Sequence, residues 1–238
     1  MRKWILFDLD GTLLPMDLEK FTRGYFGLLA KKLAPRGYAP EALVDAIRQG
    51  MVAMVKNGGE CTNETAFWQV FAALLGEQVY RDKPVFEEFY RTEFQQARVF
   101  CGFDPAAAQT VHALKRMGYR IALATNPIFP AVATESRIRW AGLEPSDFER
   151  ITTYETIGFC KPNPEYFREL LRQLSAQPEE CLMVGNDALE DGAAAKAGME
   201  VFLITPCLIN SQNLDISKIP QGNFGDLMKF IDHGRAEA

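Results

Sequence analysis

At 238 residues, 47% of them apolar and 24% charged, the chain is long enough for one large domain or for one domain carrying a smaller insert, and too apolar for bulk disorder. Its net charge of −5 is spread without a basic stripe, which argues against nucleic acid and anionic lipid as partners, and no stretch approaches the ~18 apolar residues of a membrane helix. The five cysteines are scattered and lack a CxxC pair, as free thiols of a reducing compartment would be. "MRKWILFDLD" is too short in apolar residues for a signal peptide, so a cytoplasmic location is expected. The two histidines, His112 and His233, are far apart and in no motif, which argues against a His-based zinc site or a Ser-His-Asp triad.

In chain order, residues 3–7 form a short apolar strand that ends on Asp8, with Asp10 and Gly11 just beyond. Residues 17–97 hold no convincing strand. Helical patterns occupy 17–33, 41–56, 63–75 and 83–97, broken by "APRGYAP" and "NGGECTN", with Thr62 or Asn63 as N-cap of the third. From 103 the pattern alternates. Asp104-Pro105 opens a helix, and strands at 119–125, 150–153, 181–185 and 200–205 are separated by helices near 130–141, from Pro164 to 174, and over "LEDGAAAKAG" up to Gly198. Residues 206–222 read as loop and 223–232 as a short helix. The expected fold is therefore α/β: a Rossmann-like parallel sheet with helices on both faces, built from 1–16 and 98–238, plus an inserted helical domain over 17–97.

In such sheets ligands bind at the carboxyl ends of the strands. The polar residues that stand out fall there. Asp8 and Asp10 follow the first strand, Thr125 and Asn126 end the second, Lys161 lies in the loop after the third, and Asp187 and Asp191 follow the fourth. An EF-hand reading of Asp8, Asp10 and Glu19 fails because the sixth loop position, which needs Gly, is Leu13.

"FDLDGTLL", "LATN", "KPNPEYF" and "VGNDALED" stand in the order and rough spacing of the four motifs of the haloacid dehalogenase-like hydrolase superfamily, and the chain resembles that family over about residues 1–15 and 98–205. The helical insertion resembles its C1-type cap. One departure is "DGTLLPMD", where many C1-capped phosphatases continue as DGTLxDS. The resemblance implies a phosphohydrolase, and the residues suit that chemistry. Asp8 is the candidate nucleophile and Asp10 the general acid and base. Gly11 and Thr12 are candidate phosphate contacts, Thr125 and Asn126 bond the transferring oxygens, and Lys161 supplies fixed positive charge. A carboxylate attacking a dianion calls for Mg²⁺, with Asp8 and Asp187 as ligands and, by resemblance, the main-chain carbonyl of Asp10. Asp191 would hold metal-bound water or Lys161. In the "NGGECTNE" loop, Glu60, Thr62 and Asn63 are candidate substrate contacts, because in C1-capped relatives such a loop reaches over the site.

The reading is thus a Mg²⁺-dependent phosphohydrolase of a small phosphorylated metabolite, working through an aspartyl-phosphate, with monomer or homodimer left open. A dehalogenase needs neither Asp10 nor Asp187 and Asp191. A phosphomutase would share every motif, and a non-catalytic metabolite-binding or regulatory protein on the same fold stays open beside it.

Overall fold

The computed structural model describes residues 2–236. The outer ends of the expected core segments, at residue 1 and residues 237–238, lie outside the described residues. The chain enters through β1 (Trp4–Phe7). It then forms the helices α1 (Leu18–Leu33), α2 (Pro40–Val55), α3 (Asn63–Leu75) and α4 (Gln78–Arg91) before α5 (Pro105–Arg116). Next come β2 (Arg120–Leu123), α6 (Ala131–Trp140), β3 (Arg150–Ile151), α7 (Pro164–Leu174), β4 (Cys181–Gly185), β5 (Glu200–Ile204), β6 (Gln221–Gly222) and α8 (Phe224–Ala236). The strands form one sheet in the order β3-β2-β1-β4-β5-β6, and every neighbouring pair is parallel.

The parallel sheet follows from strands that are apolar on both sides, since each face must be covered. Side chains alternate. Ile5 and Phe7 of β1 join Val111 of α5, Ile138 of α6 and Leu227 of α8 in one buried cluster. Trp4 and Leu6 face the other way and pack with Tyr166, Phe167 and Leu170 of α7. The order reverses at β1, which has β2 on one side and β4 on the other, so the crevice for a ligand opens at the carboxyl ends of β1 and β4.

Local capping sets several helix starts. The side chains of Asp17, Thr62, Asp104 and Asn163 each accept from backbone N–H groups in the first turn of α1, α3, α5 and α7. The two chain crossings between sheet and helical insertion lie side by side. Met16 bridges Cys101, and Gly102 N donates to the Pro15 carbonyl at 2.6 Å. The apolar cluster on the first sheet face continues into the insertion, where Phe94 packs on Trp140 with ring centroids 5.1 Å apart.

Three elements differ from the sequence expectation. The fourth helix, expected at 83–97, runs Gln78–Arg91 with Pro84 inside it and gives way to 3₁₀ turns over Glu93–Phe100. The proline removes one backbone bond, but burying Val79 upstream and Phe86 and Phe89 downstream outweighs that loss. The expected helix over "LEDGAAAKAG" is reduced to 3₁₀ turns over Gly192–Ala197, because the backbone before it is wound around the carboxylates of Asp187 and Asp191. Within 206–222, expected as loop, Gln221–Gly222 adds an edge strand to β5.

Candidate active site

β1 delivers Asp8 to the sheet's carboxyl rim, where its N–H donates to the Val184 carbonyl of β4 at 2.9 Å. The chain then turns tightly. Gly11 has φ +92°, and a Cβ there would lie 2.4 Å from Asn186 Nδ2, so glycine is required for two reasons. Gly11 and Thr12 do not offer amides to a phosphate: Gly11 N donates to Leu14 O at 2.8 Å and Thr12 N to Leu9 O at 3.2 Å. The Thr12 hydroxyl is buried as well, 2.8 Å from Asn186 Oδ1 and 3.4 Å from Asp8 Oδ2. Both residues, expected as phosphate contacts, instead brace the loop that carries Asp8. Asn186 is braced in turn, since its Nδ2 donates to the Cys207 carbonyl at 2.8 Å.

Lys161 is buried and bonded on two sides. Its Nζ donates to Asp8 Oδ1 at 2.9 Å and to Asp191 Oδ1 at 2.6 Å. Burial pulls the ammonium's pKa down, but Asp191 and Asp8 outweigh it and hold it well above its ordinary value. Burial pushes the Asp8 carboxyl up; Lys161 opposes this, while Asp191 and Asp10 add to it. Asp191 uses its other oxygen to accept from the N–H groups of Asn186 and Asp187, at 2.8 and 2.9 Å. With both oxygens facing N–H donors, Asp191 is tied to the Lys161 ammonium on one side and to the backbone of residues 186 and 187 on the other. Asn126 also serves Lys161: its Oδ1 accepts from Lys161 N at 3.2 Å and its Nδ2 donates to Glu190 at 3.0 Å. Lys161→Met should therefore lower turnover by roughly 10²–10³-fold, the usual effect of removing one fixed charge from such a site. A steady-state phosphate-release assay checks this.

Two residues that the sequence reading passed over complete the rim. Arg137 of α6 is 0% exposed. Its guanidinium pairs with Asp10 Oδ2, sits 4.1 Å over the Phe129 ring and donates to Thr134 Oγ1 and the Ala133 carbonyl at 3.3 Å each. Asp10 Oδ1 is buried with no hydrogen-bond partner. The signal for Arg137 was present in the sequence: it shares a helix stripe with Ala133, Trp140 and Ala141, and a charge on an apolar stripe needs a buried partner. Glu190 is the second. Burial, reinforced by Asp191 and Asp187 against Lys161 and Asn126, raises its carboxyl to about 7.

Above the rim lies a cavity of about 290 Å³, reached by Asp8, Asp10, Thr125, Asn126, Asp187 and Glu190 at its floor. Its walls come from the helical insertion, chiefly Phe21, Tyr25 and Phe26 of α1, Trp68 of α3, and Phe86 and Tyr90 of α4. Ile209 lines it too, so the segment after β5 touches the site.

Glu60, Thr62 and Asn63, expected as substrate contacts, do not line this cavity. Their loop docks on the segment 154–160. Thr62 caps α3, and Asn63, fully buried, donates to the carbonyls of Pro127 and Phe159 and to Cys160 Sγ while accepting from Asn57 Nδ2. Contact is too close for side chains, because a Cβ at Gly158 would lie 2.4 Å from the Cys61 carbonyl. Asn63→Ala should cost about 2 kcal/mol of stability through the partners it leaves unpaired, with KM little changed. Denaturant unfolding and a KM measurement check the two halves.

The family model described as haloacid dehalogenase-like hydrolase matches residues 2–198. The chain belongs to that family. Relatives of this haloacid dehalogenase-like hydrolase include a glyceraldehyde 3-phosphate phosphatase of Methanothermobacter thermautotrophicus, 30% identical over 131 residues that make up 55% of each chain. A phosphoglycolate phosphatase of Nitrosospira multiformis is 26% identical over 85% of this chain and 82% of that one. The chain thus spans about half the length of the first relative and most of the second. Among solved structures, a 2-haloacid dehalogenase from Pseudomonas syringae superposes with TM-score 0.65 at 19% identity, over 98% of this chain and 99% of that one. A phosphatase of the family from Thermococcus onnurineus superposes with TM-score 0.61 at 18% identity, over 97% and 98%. At these identities the likeness is one of fold.

Phosphatases of this family imply a divalent cation. Among the described residues no group of three or more His, Cys, Asp and Glu is arranged to hold one. Magnesium asks for less, one or two carboxylates with phosphate and water completing the octahedron. The donor set suits it. Asp8, Asp10, Asp187, Glu190 and Asp191 outnumber Lys161 and Arg137 at this rim, and Asp10 Oδ1 lacks a partner. All are hard oxygen ligands, and an added cation would offset the burial that raises Asp8. Among the described residues no helix is long and apolar enough to cross a membrane.

Proposed function

We propose that the protein is a Mg²⁺-dependent phosphohydrolase that cleaves a small phosphomonoester through an aspartyl-phosphate on Asp8. The observation that carries the reading is the placement of Asp8 at the end of β1, 2.9 Å from the buried Lys161 ammonium and open to the cavity floor beside Asp10. The phosphatase names of the relatives from Methanothermobacter and Nitrosospira support it.

In this reading an Asp8 oxygen attacks phosphorus as the ester P–O bond breaks, and Asp10 gives its proton to the leaving alcohol. Asp10 then takes a proton from water as that water attacks the aspartyl-phosphate, which returns Asp8 and releases inorganic phosphate. The partnerless Asp10 Oδ1 is the oxygen for these transfers, since Oδ2 is held by Arg137. Lys161 neutralises charge between nucleophile and phosphoryl group, Thr125 bonds a phosphoryl oxygen, and Asn126 fixes Lys161 beside it. Asp8, Asp187 and the main-chain carbonyl of Asp10 would hold Mg²⁺, which when bound would neutralise developing charge. Residues 17–97 act as the cap that excludes bulk water and reads the leaving group. The substrate is a soluble small molecule met in the cytoplasm.

Phosphate release from a panel of small phosphomonoesters tests this. Release with Mg²⁺ that falls to background in EDTA is expected. Release unaffected by EDTA removes the metal from the reading, and no release from any compound overturns it.

A further inference from the structure

The chamber above the rim is unlike a pocket for a charged or polyhydroxylated leaving group. Among the described residues the basic side chain that lines it is Lys83, and that ammonium is already paired with Glu64 and lies 5.4 Å over the Trp68 ring. Glu87, at the same end, is acidic. A second carboxylate or phosphate on the substrate would therefore enter without a free cation to meet it, at a high desolvation cost.

The tyrosine hydroxyls are committed as well, and Thr22 of α1 adds a single further hydroxyl to the walls. Tyr25 and Tyr90 bond each other through their OH groups at 2.8 Å, and Trp68 Nε1 donates to Tyr154 OH at 3.4 Å. Each pair leaves one O–H over. That suffices for an isolated acceptor on a ligand but not for a carbon chain with a hydroxyl on every atom, whose groups would be buried unpaired. What the walls do offer is ring edges and faces. Phe67 and Trp68 meet at 87°, and Trp68 and Phe86 also at 87°, so a third ring can enter in the offset or edge-on arrangements that aromatic groups favour.

We infer that the leaving group is an uncharged, predominantly apolar alcohol, aromatic or arylalkyl, held in the helical chamber while its phosphate rests on the rim. The inference rests on the phosphohydrolase reading and narrows it to a substrate class. It sets this chain apart from relatives whose names specify phosphoglycolate or pyrophosphate, both of which carry a second anionic group next to the transferred one.

The test compares kcat/KM for benzyl phosphate, 2-phenylethyl phosphate, phosphoglycolate, glyceraldehyde 3-phosphate and pyrophosphate on the full chain with Mg²⁺. The first four are alkyl esters with alcohol leaving groups, so the comparison among them reads binding rather than a better aryloxide leaving group. The arylalkyl esters should exceed phosphoglycolate at least about tenfold. Met51→Lys, which adds a cation to the chamber wall, should shrink that ratio. If phosphoglycolate or pyrophosphate is cleaved as well as the arylalkyl esters, the inference falls and the phosphatase reading stands. If nothing is cleaved, the phosphatase reading falls, and calorimetric titration of Asp8→Asn with benzyl phosphate and phosphoglycolate decides the chamber. Tighter benzyl phosphate binding, with a negative heat-capacity change, upholds it, and equal or weaker binding overturns it.

Discussion

Asp8→Asn should lower phosphate release by about 10⁴–10⁶-fold while leaving the protein at least as stable as the wild type. The activity half follows from the nucleophile's role, for which removal of the attacking group alone costs most of the catalysis. The stability half follows from burial. The Asp8 carboxyl is raised in the folded state to about 8, against about 4 in the unfolded chain. Between those values the unfolded state releases the proton first, so stability attributable to Asp8 falls as pH rises from about 4 to about 8. The neutral amide escapes that loss, and Asp191 still holds Lys161 at 2.6 Å. In EDTA, the gap in denaturation midpoint between variant and wild type should widen across that pH window. Percent-level activity in Asp8→Asn would move the nucleophile elsewhere, and a midpoint well below wild type would mean that Asp8 stabilises the fold.

Arg137→Met should destabilise the protein by about 3 kcal/mol. Breaking a buried pair from one side costs about 3–5 kcal/mol, because the remaining charge has lost its partner. The lower end applies here because the Asp10 side chain is 18% exposed and reaches the cavity, where water replaces part of the lost interaction. Methionine keeps much of the packing over Phe129, so the effect reads charge rather than volume. Asp10→Asn in the same chain should recover part of the loss, since the orphaned charge is then absent. Urea unfolding of both single variants and the double variant measures this directly. A change under about 0.5 kcal/mol in Arg137→Met would show that the pair holds no net stability. Turnover should fall as well, because Asp10 would lose the ion pair with Arg137 that fixes its orientation at the cavity floor.

Some features were open to reading along the chain because their causes are local. "WILF" and "CLMVG" are apolar without alternation, which calls for burial on both faces and hence a parallel sheet. Asp17, Thr62, Asp104 and Asn163 announce helix starts because a cap bonds N–H groups two or three residues on. Asp8, Lys161 and Asp191 were legible together because strand ends in such a sheet converge, whatever the intervening length. The start of α4 is not legible in this way, because the cost of Pro84 is local whereas the burial of Val79 that outweighs it depends on distant partners.

The "NGGECTNE" loop shows where that reasoning stops. Its glycines and polar residues fit a mobile tip over the site, but the fold brings Gly158 and the Phe159 carbonyl against it, and Asn63 becomes a buried tie between the insertion and the loop after β3. Gly11 and Thr12, expected as phosphate contacts, have their amides taken by the turn itself. Arg137 pairs with a residue 127 positions away, and the Tyr25–Tyr90 hydroxyl bond spans 65. The sequence by itself determined the strand ends, the order of the carboxylates around them and the sign of charge they call for, because strand alternation, capping and desolvation act over a few bonds. Only the tertiary structure decided which oxygen of Asp10 is left without a partner, which tyrosines have their hydroxyls taken and what the chamber walls present, because those depend on which side chains meet when distant segments exclude water from between them.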